Sequence, residues 1–130
     1  MSSTNYSFCS FCTLPASRIW FEGETCIVIK DAFPITNGHT LVLPKRHVQS
    51  LFELEENELH EIYKLLKKAR NTLIDELGCD GFNVGINDGV SAGQTVPHVH
   101  IHLIPRLIGD LEDPRGGVRW IFPDKAKYWS

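Results

Sequence analysis

The chain has 130 residues, 42% of them hydrophobic, with 13 Lys+Arg against 16 Asp+Glu and a formal net charge of −3. That length predicts one domain, residues 1–130, able to bury a core without staples, and the acidic balance argues against a nucleic-acid partner, whose binders are usually basic. No uninterrupted apolar stretch approaches membrane-spanning length and no charged-then-apolar leader opens the chain, so a cytoplasmic protein with no membrane partner is expected, its four cysteines reduced or metal-bound.

Residues 1–7 are polar and expected to be loose. Cys9-Ser10-Phe11-Cys12 follows. A lone C-x-x-C leaves zinc, redox chemistry and a packed cysteine pair open. The redox reading needs a thioredoxin-like context that the next residues do not supply, and zinc needs two more ligands to close a four-coordinate site. Arg18 to Lys30 reads as two strands around a Gly23 turn, on its β-branched and aromatic content. Cys26 is expected in the core, and Asp31 closes the second strand. Asn37-Gly38 is a turn dipeptide. His39 to Pro44 starts as a strand, with Lys45 and Arg46 expected in solvent.

Glu55 to Leu77 predicts the one long helix. Leu59, Ile62, Leu66, Ala69, Leu73 and Leu77 recur at spacings of three and four and give an apolar stripe, and Gly78 is a suitable stop. His60 lies off the stripe, and Lys64, Lys67, Lys68 and Arg70 read as a solvated face. Phe82 to Asn87 predicts the next strand, followed by a Gly-rich loop over Asp88 to Gly93. These strands cluster instead of alternating with helices, which predicts an α+β fold: a mostly antiparallel sheet, one long helix and a short N-terminal element.

Pro97 to Pro105 carries three of the chain's six histidines, His98, His100 and His102, alternating with Val99, Ile101 and Leu103. Strict alternation predicts a strand with the imidazoles on one face and the aliphatics on the other. A single metal shared by all three is disfavoured, because the outer pair stands roughly 13 Å apart along a strand. Chemistry on a phosphate fits better: a neutral imidazole is a nucleophile, and its neighbours donate hydrogen bonds to an anion. A histidine-rich exposed strand is the plain alternative. Gly93, Gln94 and Thr95 lead into the run, where a close-approaching backbone, an amide and a hydroxyl form either an anion cradle or an ordinary loop. Residues 107–130 form a C-terminal tail: a loop from Gly109 to Gly117, a short strand from Val118 to Pro123, and Trp120, Phe122 and Trp129 to be buried on the core or on a partner subunit.

His98-Val99-His100-Ile101-His102-Leu103-Ile104 resembles the signature of the histidine triad (HIT) family. Ala92 to Val96 and Pro105-Arg106 resemble its fragile-histidine-triad branch and bacterial HIT hydrolases more than its Hint branch. The similarity runs from about Phe8 to Arg106 and implies a HIT-like fold. It also implies a nucleotidyl hydrolase or transferase that cleaves dinucleoside polyphosphates, of the diadenosine tri- or tetraphosphate type, through a nucleotidyl-histidine. In that reading His100 attacks the α-phosphorus while a backbone carbonyl holds its other nitrogen. His102, Gln94, Thr95 and backbone amides near Gly93 stabilise the phosphoryl oxygens, and His98 orients the site. Asp31 receives the ribose hydroxyls, Asn87 reaches ribose or phosphate, and His39 packs under the catalytic imidazoles. The resemblance further implies a structural zinc held by Cys9, Cys12, His47 and His98, a divalent cation riding on the substrate, and a homodimer whose Arg115 or Arg119 contacts a second nucleotide. A Hint-like nucleoside phosphoramidase and a non-catalytic, nucleotide-binding zinc protein are the competing readings.

Overall fold

The computed structural model describes residues 9–130, so the expected loose segment 1–7 lies outside the described residues. Among these, five strands form one antiparallel sheet in the order β1-β2-β3-β5-β4. They are β1 (Ile19–Glu22), β2 (Cys26–Lys30), β3 (Thr40–Pro44), β4 (Gly81–Gly85) and β5 (Ile101–Arg106). A long helix, α1 (Glu56–Leu77), packs against β2, β3 and β5. The arrangement is the α+β fold that the clustered strands predict. Among the described residues no helix is long and apolar enough to cross a membrane.

The period of two along the strands divides the core into two layers. Cys26, Val28, Val42, Ile101 and Leu103 turn toward α1 and meet Ile62, Leu65, Ala69 and Leu73. Ile27, Ile29, Leu41 and Leu43 turn the other way, under Phe11 and Leu14 of the N-terminal segment. β2 and β3 are therefore covered on both faces. His100 and His102, out of phase with Ile101 and Leu103, fall on the face beneath the N-terminal segment.

The histidine run is strand only in its second half. Upstream of β5, Val99 N–H donates to the Val48 carbonyl at 2.8 Å, so His98 and His100 stand outside the ladder. Pro105 lies inside β5, opposite Phe82, and does not end it. Pairing between β3 and β5 stops at Thr40–Leu103, so Pro105 has a ladder neighbour on one side only, where a missing N–H is tolerated.

α1 starts one residue after the expected Glu55, which caps it together with Glu58. Its buried seam runs Glu58, Ile62, Leu65, Ala69, Leu73, with Leu66 and Leu77 partly buried beside it, so Glu58 takes the place expected for Leu59, which is 42% exposed. A carboxylate on that seam is tolerated because Arg46 donates to it twice, Nε to Oε2 at 3.1 Å and Nη2 to Oε1 at 2.8 Å. Arg46 is thus a structural partner of the helix, not a free solvent charge. Lys45 meets Glu22 at 2.7 Å on the exposed edge.

Glu61 ties α1 to the β1–β2 turn. Its Oε1 accepts from Thr25 N (2.6 Å), Thr25 Oγ1 (3.0 Å) and Cys26 N (2.7 Å), and its Oε2 from Glu24 N (3.1 Å). Gly23 packs close beside it: a Cβ there would lie 2.5 Å from the Glu61 carboxylate, which would have to move. Burial pushes the Glu61 carboxyl up, but the hydrogen bonds from Thr25, Glu24 and Cys26 outweigh it and hold the group below the usual glutamate range. Glu61→Ala is expected to cost about 2 kcal/mol in urea unfolding, the range for hydrogen bonds to a charged group. With the folded pKa below the unfolded one, this contribution is complete above the unfolded value of about 4.3 and is lost as pH falls through the folded pKa. The gap between wild type and variant should therefore close below about pH 4.

The tail departs from expectation. Val118 to Pro123 is not a strand. Gly117–Ile121 is a 3-10 turn and Pro123–Ala126 a single helical turn, α2. The 3-10 turn rests against β4.

Candidate active site and metal centre

The three histidines take different positions because each is tied to different backbone. His98 is fully buried, and its Nε2–H donates to the carbonyl of Pro44, the last residue of β3, at 2.8 Å. His100 Nδ1 lies 2.8 Å from the His98 carbonyl. A carbonyl only accepts, so Nδ1 carries the proton and the His100 Nε2 lone pair is left open.

His102 is set by a relay through His39. The Ile35 N–H donates to His39 Nδ1 at 3.2 Å, so His39 carries its proton on Nε2. That N–H donates to His102 Nδ1 at 2.9 Å, which leaves the His102 proton on Nε2. Burial, then the neighbouring His100 and His39, push the His102 pKa down to about 4. His102 is thus a neutral N–H donor at physiological pH, beside His100, whose neutral tautomer keeps its lone pair on Nε2. The two rings stand 5.1 Å apart.

Both rings open on a cavity of about 620 Å³ whose walls include Phe11, Leu14, Asp31, Phe33, Asn87 and Thr95. Its volume suits a nucleoside-sized ligand. Asp31 stands at the end of β2, with Oδ1 accepting from Phe33 N at 2.8 Å and Oδ2 lying 3.4 Å from His39 Nε2. Asn87 and Thr95 are exposed at the cavity wall, and Gly93 makes the turn that delivers Thr95. Gln94 does not serve as a free amide donor. Its Oε1 accepts from Gly89 N at 2.8 Å, and its Nε2 donates to the Gln49 and Val96 carbonyls at 2.9 and 3.1 Å. A buried amide must satisfy itself, and this one does so by bracing the loop that presents Thr95.

Cys9, Cys12, His47 and His98 converge beside the cavity, with one ligand atom from each lying within 4.8 Å of all the others. Cys12 Sγ is 3.0 Å from His47 Nδ1 and 3.5 Å from His98 Nδ1, and Cys9 Sγ is 3.6 Å from His98 Nδ1. Two thiols and two imidazoles are the donor set of a tetrahedral structural zinc site. The Pro44 carbonyl orients the His98 ring from behind, as an outer partner of a metal-bound imidazole does. Burial, then Cys9, push the Cys12 thiol up to about 11. A divalent cation reverses that preference, because coordination deprotonates the thiol. Asp31, His39 and His102 also bring donor atoms within 4.8 Å of one another, but there His39 and His102 are engaged with each other.

Phe11 was not singled out by sequence. It lies between the two cysteines, with its ring edge-on to His100 at 5.0 Å and to His98 at 6.0 Å. The Cys/His cluster and the histidine face therefore share one wall. Only its place inside the C-x-x-C hinted at this.

Comparison with known proteins agrees with the geometry. The HIT domain family matches residues 15–107, a span that begins after Cys9 and Cys12. An uncharacterized HIT-like protein of Methanocaldococcus jannaschii is 41% identical over 109 residues, 80% of this chain and 83% of that protein. The asymmetrical bis(5'-nucleosyl)-tetraphosphatase of Schizosaccharomyces pombe is 36% identical over 97 residues, 75% of this chain but only 53% of that enzyme. The crystal structure of a zinc-bound histidine triad family protein from Mycobacterium smegmatis superposes with a TM-score of 0.73 at 36% identity, covering 82% of this chain and 81% of that one. With the family profile spanning most of the sequence and the three histidines arranged around one cavity, this chain belongs to the histidine triad family.

Proposed function

We propose that this protein is a nucleotidyl hydrolase that cleaves dinucleoside polyphosphates through a covalent intermediate on His100. The single observation behind this reading is the tautomer pair at the cavity floor: a His100 Nε2 lone pair beside a His102 Nε2–H donor. The His100 nitrogen attacks the α-phosphorus, an N–P bond forms, and the P–O bond to the rest of the polyphosphate breaks, its electron pair leaving with the second nucleotide. The His98 carbonyl, accepting from Nδ1–H, stabilises the positive charge that develops on the ring. Water then attacks phosphorus, a new P–O bond forms as the N–P bond breaks, the electron pair returns to Nε2, and one proton of the water passes to solvent as nucleoside monophosphate is released.

His102 donates to a non-bridging phosphoryl oxygen where charge grows, a role worth a few kcal/mol per donor. Thr95 and the backbone at Gly93 assist, Asp31 accepts from the ribose hydroxyls, and Asn87 reaches ribose or phosphate. Gln94 contributes by holding the loop. His98 serves both sites, with its carbonyl on the nucleophile and its Nδ1 in the metal cluster. Cys9, Cys12, His47 and His98 would hold zinc, which supplies a structural cross-link and no chemistry. A divalent cation would travel on the polyphosphate. We further place the protein in the cytoplasm as a homodimer, with no nucleic-acid or membrane partner. Val84 on edge strand β4, with Val118 and Ile121 of the tail, leaves an exposed apolar face for the second copy.

The test is AMP release from diadenosine tri- and tetraphosphate, run beside adenosine phosphoramidate. Faster dinucleotide cleavage supports the reading, and turnover of the phosphoramidate alone moves the protein to the Hint-like one. His39→Phe, which frees the His102 tautomer, should lower kcat about tenfold, one hydrogen bond's worth of orientation. The loss should appear in kcat rather than KM.

A further inference from the structure

Among the described residues, Arg18 is the only lysine or arginine on the wall of the histidine cavity, and neither the proposed reaction nor the Cys/His cluster uses it. It ends a 3-10 turn, Ala16–Arg18, in which its N–H donates to the Pro15 carbonyl at 2.9 Å, so its backbone is fixed just before β1. The side chain is partly buried, and Nη2 donates to the Lys30 carbonyl at 2.8 Å. No carboxylate of the described residues pairs with it. A tethered guanidinium thus brings unspent N–H groups to the cavity wall. We propose that Arg18 reads the base of the attacked nucleotide and selects a 6-oxopurine, guanine or hypoxanthine, over adenine. The assignment rests on the nucleotide reading above and names the base which that reading leaves open.

Two lines of contact put Arg18 at the base end of the cavity. The first runs from His102 to His39 at 2.9 Å, from His39 to Asp31 at 3.4 Å, and from Asp31 to its chain neighbour Lys30, which holds Arg18. The second follows the N-terminal segment: Phe11 lies edge-on to His100, Leu14 and Pro15 continue the wall, and Arg18 ends it. With phosphorus at His100 and ribose at Asp31, the next group outward is the base, against Leu14 and Phe33. A phosphate on the ribose is the other acceptor a guanidinium could take, but it would displace a hydroxyl from Asp31 and face that carboxylate. The edges of the purines then decide. A guanidinium only donates. The O6/N7 edge of a 6-oxopurine only accepts, so the two match, whereas adenine sets an N6 amino donor beside N7. Donor against donor leaves both unpaired, and that is what rejects the wrong ligand. Ser10 and Thr13, the hydroxyls on the same wall, can serve either base, so the guanidinium is the group that discriminates.

The experiment measures the Kd values of GMP, IMP and AMP by calorimetry on the full-length wild type and on Arg18→Met, the variant checked for an unchanged melting temperature. GMP and IMP should bind the wild type about tenfold more tightly than AMP, within the range for one arginine–purine pair. IMP keeps O6 and N7 but lacks the N2 amino group, so its grouping with GMP assigns the preference to the edge that Arg18 faces. Arg18→Met keeps the length of the side chain, loses its donors, and should remove the preference. AMP binding the wild type as tightly as GMP, or IMP grouping with AMP, overturns the assignment alone, and neither comparison needs the variant. A preference that survives in Arg18→Met, with all three nucleotides weakened equally or not at all, overturns it too, since a charge that merely attracts phosphate does not distinguish bases. A wild type that binds none of the three overturns the nucleotide reading, and the assignment with it. Binding is read without turnover, so a failure of the covalent step on His100 leaves the base preference standing.

Discussion

His100→Asn is expected to lower kcat for dinucleotide cleavage by at least about 10³-fold, because removing a nucleophile removes the whole two-step route. The fold should survive the change. Asn can still donate to the His98 carbonyl, and β5 owes its burial to Ile101 and Leu103 on the opposite face. His102→Asn tests a different term. It keeps the nucleophile but loses the phosphoryl donor, and it should cost about 10²–10³-fold in kcat. Steady-state AMP release on both variants, with nucleotide binding measured separately, distinguishes the roles. Binding retained with turnover lost supports the assignment of His100, and turnover retained in His100→Asn contradicts it.

The second large effect concerns the metal. Protein purified without chelator is expected to carry about one zinc per chain, since four ligands converge in a buried cluster. Cys12→Ala should abolish retention and destabilise the fold by about 4 kcal/mol, the linkage energy of an ion held at about 1,000 times its dissociation constant. For a domain of this size that is about 10 °C or more in Tm. The cluster fastens the N-terminal segment over the sheet, and that segment carries Phe11 and Leu14 into the second core layer. Chelation should therefore also slow turnover, through the Phe11 edge against His100. Metal analysis and thermal unfolding with and without chelator check this. Less than about a tenth of an equivalent of zinc, with Tm unmoved by chelator, contradicts it.

What could be read from the sequence follows from which forces are local. The period of two in the histidine run placed the imidazoles and aliphatics on opposite faces, and the three-four spacing ahead of Gly78 located α1 to within a residue. The metal cluster was a different matter. C-x-x-C names two ligands, but His47 stands 35 and His98 86 positions from Cys12, and only the family resemblance joined them. Polar side chains with internal partners were missed for the same reason. Glu58, Glu61 and Gln94 look like solvent residues or free donors until the groups facing them are known. The tail shows local content overruled by backbone geometry. Val118 to Phe122 is rich in β-formers, yet Gly116 and Gly117 take φ of +98° and +45°, and Pro123 starts a helical turn. The chain there coils across the edge of the sheet and does not extend along it.

The most direct test of the covalent mechanism is the stereochemistry and fate of the α-phosphorus. Wild-type protein should be mixed with a diadenosine polyphosphate made chiral at that phosphorus, quenched within one turnover, and analysed by mass spectrometry and phosphorus NMR. Two successive displacements predict an adenylyl group on His100 in the quenched protein and net retention of configuration in the product. Inversion, with no adduct on His100, would mean that water attacks the substrate directly and that His100 is not the nucleophile.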